Sequence, residues 1–89
     1  MMLSVILDVR EMYRDPHGYL AAQFGFPAYY GRNLDALHDL LTEIGDPTAV
    51  YWLAPEPLTR EQRRILRVFK DAERENPYLY LYQQEVLYE

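Results

Sequence analysis

The side chains able to do chemistry in this sequence fall into three groups: two histidines, an acidic run at helical spacing, and a basic run further on. Asp35, His38 and Asp39 stand at i, i+3 and i+4, one face of a helix, where an imidazole and two carboxylates could hold a metal or move a proton. Such a set is more often a plain polar helix face, and no metal site, cofactor or enzyme activity is expected from it. His17 falls in the first turn of an expected helix and reads as a polar surface or packing residue. Serine occurs once, as Ser4, and cysteine not at all, which leaves no serine triad, thiol nucleophile, disulfide or Cys-type zinc site. No glycine-rich phosphate loop, zincin helix or EF-hand pattern is present. Asp35, Asp39 and Glu43 form an acidic ridge at i, i+4 and i+8, and like charges at that spacing weaken a helix slightly. Just ahead of it Tyr29, Tyr30 and Gly31 make an aromatic loop, and tyrosine beside charge is typical of protein interfaces. Arg60, Arg63, Arg64, Arg67, Lys70 and Arg74 run along a later helix and could follow a phosphate backbone, the alternative function being a nucleic-acid-binding module. Glu61, Asp71, Glu73 and Glu75 interleave with these cations, so a solvated helix face is the preferred reading.

These residues need a scaffold, and the chain is long enough for one. Its 89 residues are expected to form a single domain over 1–89, burying about 60–65% of the unfolded surface. Nine Lys and Arg against fourteen Asp and Glu give a net charge of −5, which argues for a basic partner or simple solubility and against direct nucleic-acid binding. The longest apolar stretch, Ala49–Ala54, is too short to span a membrane, and no signal peptide is read at the N-terminus, so a cytoplasmic location is expected.

Leu3–Asp8 reads as a strand. Asp15-Pro16 starts a helix with Leu20, Ala21 and Phe24 facing inward, weakened a little by Gly18 and stopped at Gly25. Pro27–Arg32 is a loop, Asn33 an N-cap, and Leu34, Leu37, Leu41 and Ile44 the apolar stripe of a second helix that Gly45-Asp46-Pro47 ends. Thr48–Leu53 is the next strand, and Ala54-Pro55-Glu56-Pro57 a rigid turn. Thr59 and Gln62 form a capping box for a helix that buries Ile65, Leu66, Phe69 and Ala72 and runs to about Glu75, and Pro77 breaks it. Tyr78–Tyr82 alternates leucine and tyrosine on two faces of a last strand. The order predicts an α/β fold: a small three-stranded parallel sheet packed by about three helices. So few strands leave the helices covering one face and the tyrosine side partly exposed.

The stretch Pro27-Ala28-Tyr29-Tyr30-Gly31-Arg32-Asn33-Leu34-Asp35-Ala36-Leu37-His38-Asp39 is similar to the P-x-Y-Y-G-x-N-L-D-A-L-x-D pattern of the barstar family of intracellular ribonuclease inhibitors. Asp15-Pro16-His17, Val50-Tyr51-Trp52 and Val68-Phe69-Lys70-Asp71-Ala72 extend the resemblance more weakly over most of the chain. The resemblance implies a bacterial immunity protein that plugs the active site of a small, basic, secreted ribonuclease or related nuclease toxin in a 1:1 complex. Asp39 would then occupy the phosphate pocket and Asp35 would engage neighbouring cationic groups. Tyr29 would pack on the enzyme's catalytic histidine, with Gly31, Asn33, Leu34, His38 and Thr42 along the contact and Asp71 at its periphery. His38 stands where the family's best-known member has tryptophan, Ile44 replaces an aromatic residue, and Arg32 replaces a glutamate. The segment between Trp52 and Thr59 is shorter than in the family, which implies one short helix fewer.

Overall fold

The computed structural model describes residues 2–54 and 57–85. The elements follow the expected order: β1 (Leu3–Asp8), a 3-10 helix (Val9–Met12), α1 (Pro16–Phe24), α2 (Leu34–Thr42), β2 (Thr48–Ala54), α3 (Arg60–Glu75) and β3 (Leu79–Glu85). Three strands form one sheet in the order β1-β2-β3, both pairs parallel, with Val5 opposite Val50 and Val50 opposite Leu81. With its three helices this is an α/β fold. The turn expected over 54–57 includes Pro55 and Glu56, which lie outside the described residues. Pro57 and Leu58 lead into α3 without helix, and among the described residues no short helix stands between β2 and α3.

Each helix starts where local chemistry supplies a partner for its unpaired N–H groups. Asp15 caps α1 by accepting from the Gly18 N–H at 3.0 Å, and Pro16 takes the first helical position. The Asp15 carboxylate lies so close that a Cβ on Gly18 would come within 2.0 Å of it, so the glycine is what lets the cap close. Gly25 ends α1 in the left-handed conformation, φ 67°. Asn33 caps α2 through the Ala36 N–H at 2.8 Å. Thr59 and Gln62 close both halves of the capping box at 3.1 and 2.9 Å. The 3-10 helix was not expected. Asp8, read as the end of a strand, also accepts from the Arg10 N–H and so turns the chain into Val9–Met12, which buries Val9 and Met12.

One cluster holds the layers together. Leu7, Val50, Trp52 and Leu79 of the sheet meet Leu20 of α1, Leu37 and Leu41 of α2, and Ile65, Leu66, Phe69 and Ala72 of α3. Phe69 is the aromatic centre, 6.0 Å from the Trp52 ring and 5.8 Å from Phe24. Burying side chains of this size stabilises by about 1.5–3 kcal/mol each. On the sheet's other face Ile6, Tyr51, Tyr80 and Tyr82 remain exposed, as the leucine–tyrosine alternation implies.

A buried asparagine fixes the site-bearing helix. The Asn76 side-chain amide donates to the carbonyls of Leu41 and Ile44, both at 2.9 Å, and its oxygen accepts from the Tyr78 N–H. One residue thereby joins the end of α2, the end of α3 and the start of β3.

Candidate functional site

The loop 27–32 divides its two tyrosines between solvent and core. Tyr29 is 81% exposed, whereas Tyr30 is 7% exposed and packs its ring 4.8 Å from Phe26. The Tyr30 hydroxyl lies 2.6 Å from His17 Nδ1 in the first turn of α1. Burial pushes the Tyr30 phenol up to about 12, so it keeps its proton. Burial likewise holds His17 below the usual imidazole range, against the opposing pull of Glu61 and Asp15 and alongside a smaller push from Arg32. A protonated phenol donating to a neutral imidazole nitrogen satisfies both, and it leaves His17 Nε2 facing the Glu61 carboxylate at 3.9 Å. The loop's far end is tied to the same turn. Arg32 adopts a left-handed conformation, φ 53°, and its guanidinium lies 3.5 Å from Asp15. A non-glycine residue there costs roughly 1–2 kcal/mol, and the ion pair together with the Asn33 cap holds the chain in it.

The His17 contact carries a pH signature. Because the folded state disfavours the charged imidazole, the unfolded chain takes up a proton first as pH falls through about 6.5. Stability therefore declines as pH drops through that value and levels off below the folded pKa. Urea unfolding between pH 5 and pH 8, with His17→Gln beside the native chain, is expected to show a shallower decline in the variant. Parallel profiles would exclude His17 as the source.

Beyond the loop, Asp35 and Asp39 of α2 and Glu43 at its C-cap are exposed to solvent. Tyr29, Gly31, Asp39 and Glu43 surround a shallow hollow of about 350 Å3 with Tyr30, Ala36 and Leu40 as its floor. An aromatic wall facing two carboxylates suits a cationic side chain, attracted by charge and by the ring face. His38 turns the other way. Its Nε2 pairs with Glu75 of α3, and its Nδ1 lies 4.0 Å from the Asp39 carboxylate. No group of three His, Cys, Asp or Glu side chains among the described residues is arranged to hold a metal. His38 and Asp71 line a neighbouring hollow of about 460 Å3 with Arg67, Arg74 and Glu75. Asp71 itself sits between Arg67, at 3.5 Å, and Arg74.

The remaining candidates shape the surface more than they line it. Asn33 caps α2 and also donates to the Gly31 carbonyl. Leu34 is half-buried against the core. The Thr42 hydroxyl donates to the carbonyls of His38 and Asp39. The His38–Glu75 pair, the Asn76 amide and the His17–Tyr30 and Arg32–Asp15 tethers are not legible in the sequence. The one available signal is Pro77, which breaks the helix just after Asn76 but says nothing of the buried amide.

The basic stripe of α3 borders a groove of about 810 Å3, lined by Arg63, Arg67, Lys70 and Arg74 with Asp71 and Glu73. Its charge is substantially occupied. Arg63 donates to the Leu58 carbonyl, and Arg67 and Arg74 flank Asp71. The groove's size alone does not outweigh that pairing.

A family model described as Barstar (barnase inhibitor) matches residues 2–84. The chain belongs to the barstar family. Among curated proteins no relative matches it. Membership gives meaning to the residues that depart from the barstar pattern, because each is accommodated within this fold. Arg32 reaches Asp15, His38 reaches Glu75, and Ile44 packs against the core while its carbonyl accepts from Asn76. In this barstar-family chain no described helix is long and apolar enough to cross a membrane.

Proposed function

We propose that the chain inhibits a small basic ribonuclease, or a nuclease toxin of similar charge, by seating the loop 27–32 and α2 in its active site as a 1:1 complex. The observation that carries this reading is the placement of exposed Tyr29 beside Asp39 and Glu43 around one hollow, on a loop tethered at both ends. Asp39 imitates the scissile phosphate and accepts charge-assisted hydrogen bonds from arginine and histidine. Tyr29 packs against the catalytic histidine, and Asp35 meets neighbouring cations. Gly31, Asn33, Leu34 and Thr42 border the contact, with His38 and Asp71 nearer its rim. Tethering the loop before binding lowers the ordering cost of association. The net charge of −5 steers the inhibitor towards a basic enzyme, and does so inside the cytoplasm that such an inhibitor protects. The chain itself catalyses nothing in this scheme.

The test is titration against a panel of small basic microbial ribonucleases, following RNA cleavage. Stoichiometric inhibition by the native chain, lost with Asp39→Ala, is the expected result. Absence of inhibition across the panel and across nuclease toxins encoded beside this gene would overturn the reading.

A further inference from the structure

The sheet has a second surface, on the side away from the helices. Alternation sends Ile6 of β1, Tyr51 and Leu53 of β2, and Tyr80 and Tyr82 of β3 to it, and the register sets Ile6, Tyr51 and Tyr82 in one row across the strands. The Tyr51 and Tyr82 rings stack at 5.3 Å. Ile6 and the three tyrosines are each between 38% and 57% exposed. Parallel sheets are almost always covered on both faces, and among the described residues this one is covered on one.

We propose that this face joins two copies of the chain, sheet against sheet, in a weak two-fold dimer that leaves loop 27–32 and α2 of each copy free. Charge favours a second copy. With a net charge of −5, two molecules repel over most of their surface. Among the described strand residues on this side the single charge is Asp8, and Arg10 holds its carboxylate. A neutral apolar face is where two like-charged molecules can meet. The row is also self-complementary. With the axis running along β2 through Tyr51, Ile6 of each copy lies on Tyr82 of the other and the two Tyr51 rings meet at the centre, as an isologous contact requires. The sheets would stack about 10 Å apart.

Size sets the strength. The exposed parts of these side chains amount to roughly 400 Å2 per copy, about half of the ~800 Å2 per partner in a stable complex. The dimer is therefore expected to form only at high concentration.

Sedimentation equilibrium of the full chain from about 10 µM to about 1 mM, the range appropriate to a small interface, reads this directly. The weight-average mass should climb from 10.6 kDa towards twice that value, and more steeply in added salt, which screens the general repulsion. Tyr51→Lys and Tyr82→Lys should each hold the mass at the monomer value, with circular dichroism showing the native fold, while Asp39→Ala should associate as the native chain does. A monomer at every concentration would overturn the proposal. So would association that survives both lysine variants, or that salt weakens.

Discussion

Asp39→Ala is expected to weaken binding of a cognate ribonuclease by a factor of about 30 to several thousand, and Asp71→Ala by about fivefold or less. The two carboxylates differ in what they already hold. Asp39 is 78% exposed, and the nearest basic side chain is His38 at 4.0 Å, so its charge is free for a partner. Inside a cationic pocket it would be desolvated and would leave the enzyme's cations unpaired when removed, a loss of about 2–5 kcal/mol. Measurements on barnase with its own inhibitor helped to set that range, so it is the family's range rather than an independent forecast. Asp71 lies between Arg67 and Arg74, so its charge is compensated before any partner arrives. A rim charge of that kind is worth about 1 kcal/mol or less. Calorimetry or inhibition constants for both variants, with dissociation rates, make the comparison. The loss at Asp39 should fall mainly on dissociation, whereas Asp71 should act through association and fade with salt. Equal, small effects would place the contact elsewhere.

Asn76→Ala is expected to cost on the order of 3 kcal/mol of folding stability, a large share of the roughly 5–15 kcal/mol typical of a domain. The substitution takes the Asn76 partner from the Ile44 carbonyl and the Tyr78 N–H, and leaves the Leu41 carbonyl with backbone donors only, the Ile44 N–H at 3.5 Å among them. The backbone at position 76 is extended, φ −122°, so alanine fits it without strain and the loss reports hydrogen bonding. Asn76→Asp should be no better, because it keeps the acceptor for Tyr78 but turns a carboxylate towards two carbonyl oxygens. Urea unfolding at neutral pH should show the midpoint falling with the slope unchanged. A change below about 0.5 kcal/mol, the usual size for a surface substitution, would mean that water replaces the amide without penalty.

The helix starts were legible because capping is local. Asp15, Asn33 and Thr59 each find their partner three residues on, and spacing alone reveals that. The leucine–tyrosine alternation of β3 gave the exposed face in the same way. Features made by residues distant in sequence were not legible. His38 reads as one more polar residue on a helix face, because Glu75 stands 37 positions away and no periodicity connects them. Asp8 is a local exception: it reads as the end of a strand, although its partner as cap of the 3-10 helix, the Arg10 N–H, is only two positions on. The apolar stripe extends to Ile44 although α2 ends at Thr42, since Ile44 still packs against the core from beyond the helix. At the candidate site, the aromatic loop and acidic ridge were visible as residue types. The splitting of Tyr29 from Tyr30 depends on His17, which stands 13 positions from Tyr30 and which only the folded chain brings near.

The strand order β1-β2-β3 repeats the order of the chain, and that has a consequence in time. A ribosome releases the loop and α2 well before α3, whose Phe69 and Ile65 complete the core beneath them, and before Asn76, which holds the end of α2. At about 5–20 residues per second, the interval from Thr42 to Asn76 is a few seconds. During it the acidic helix exists without the packing that fixes its shape. The surface formed by the loop and α2 thus takes its final shape only once α3 has docked and β3 has closed the sheet.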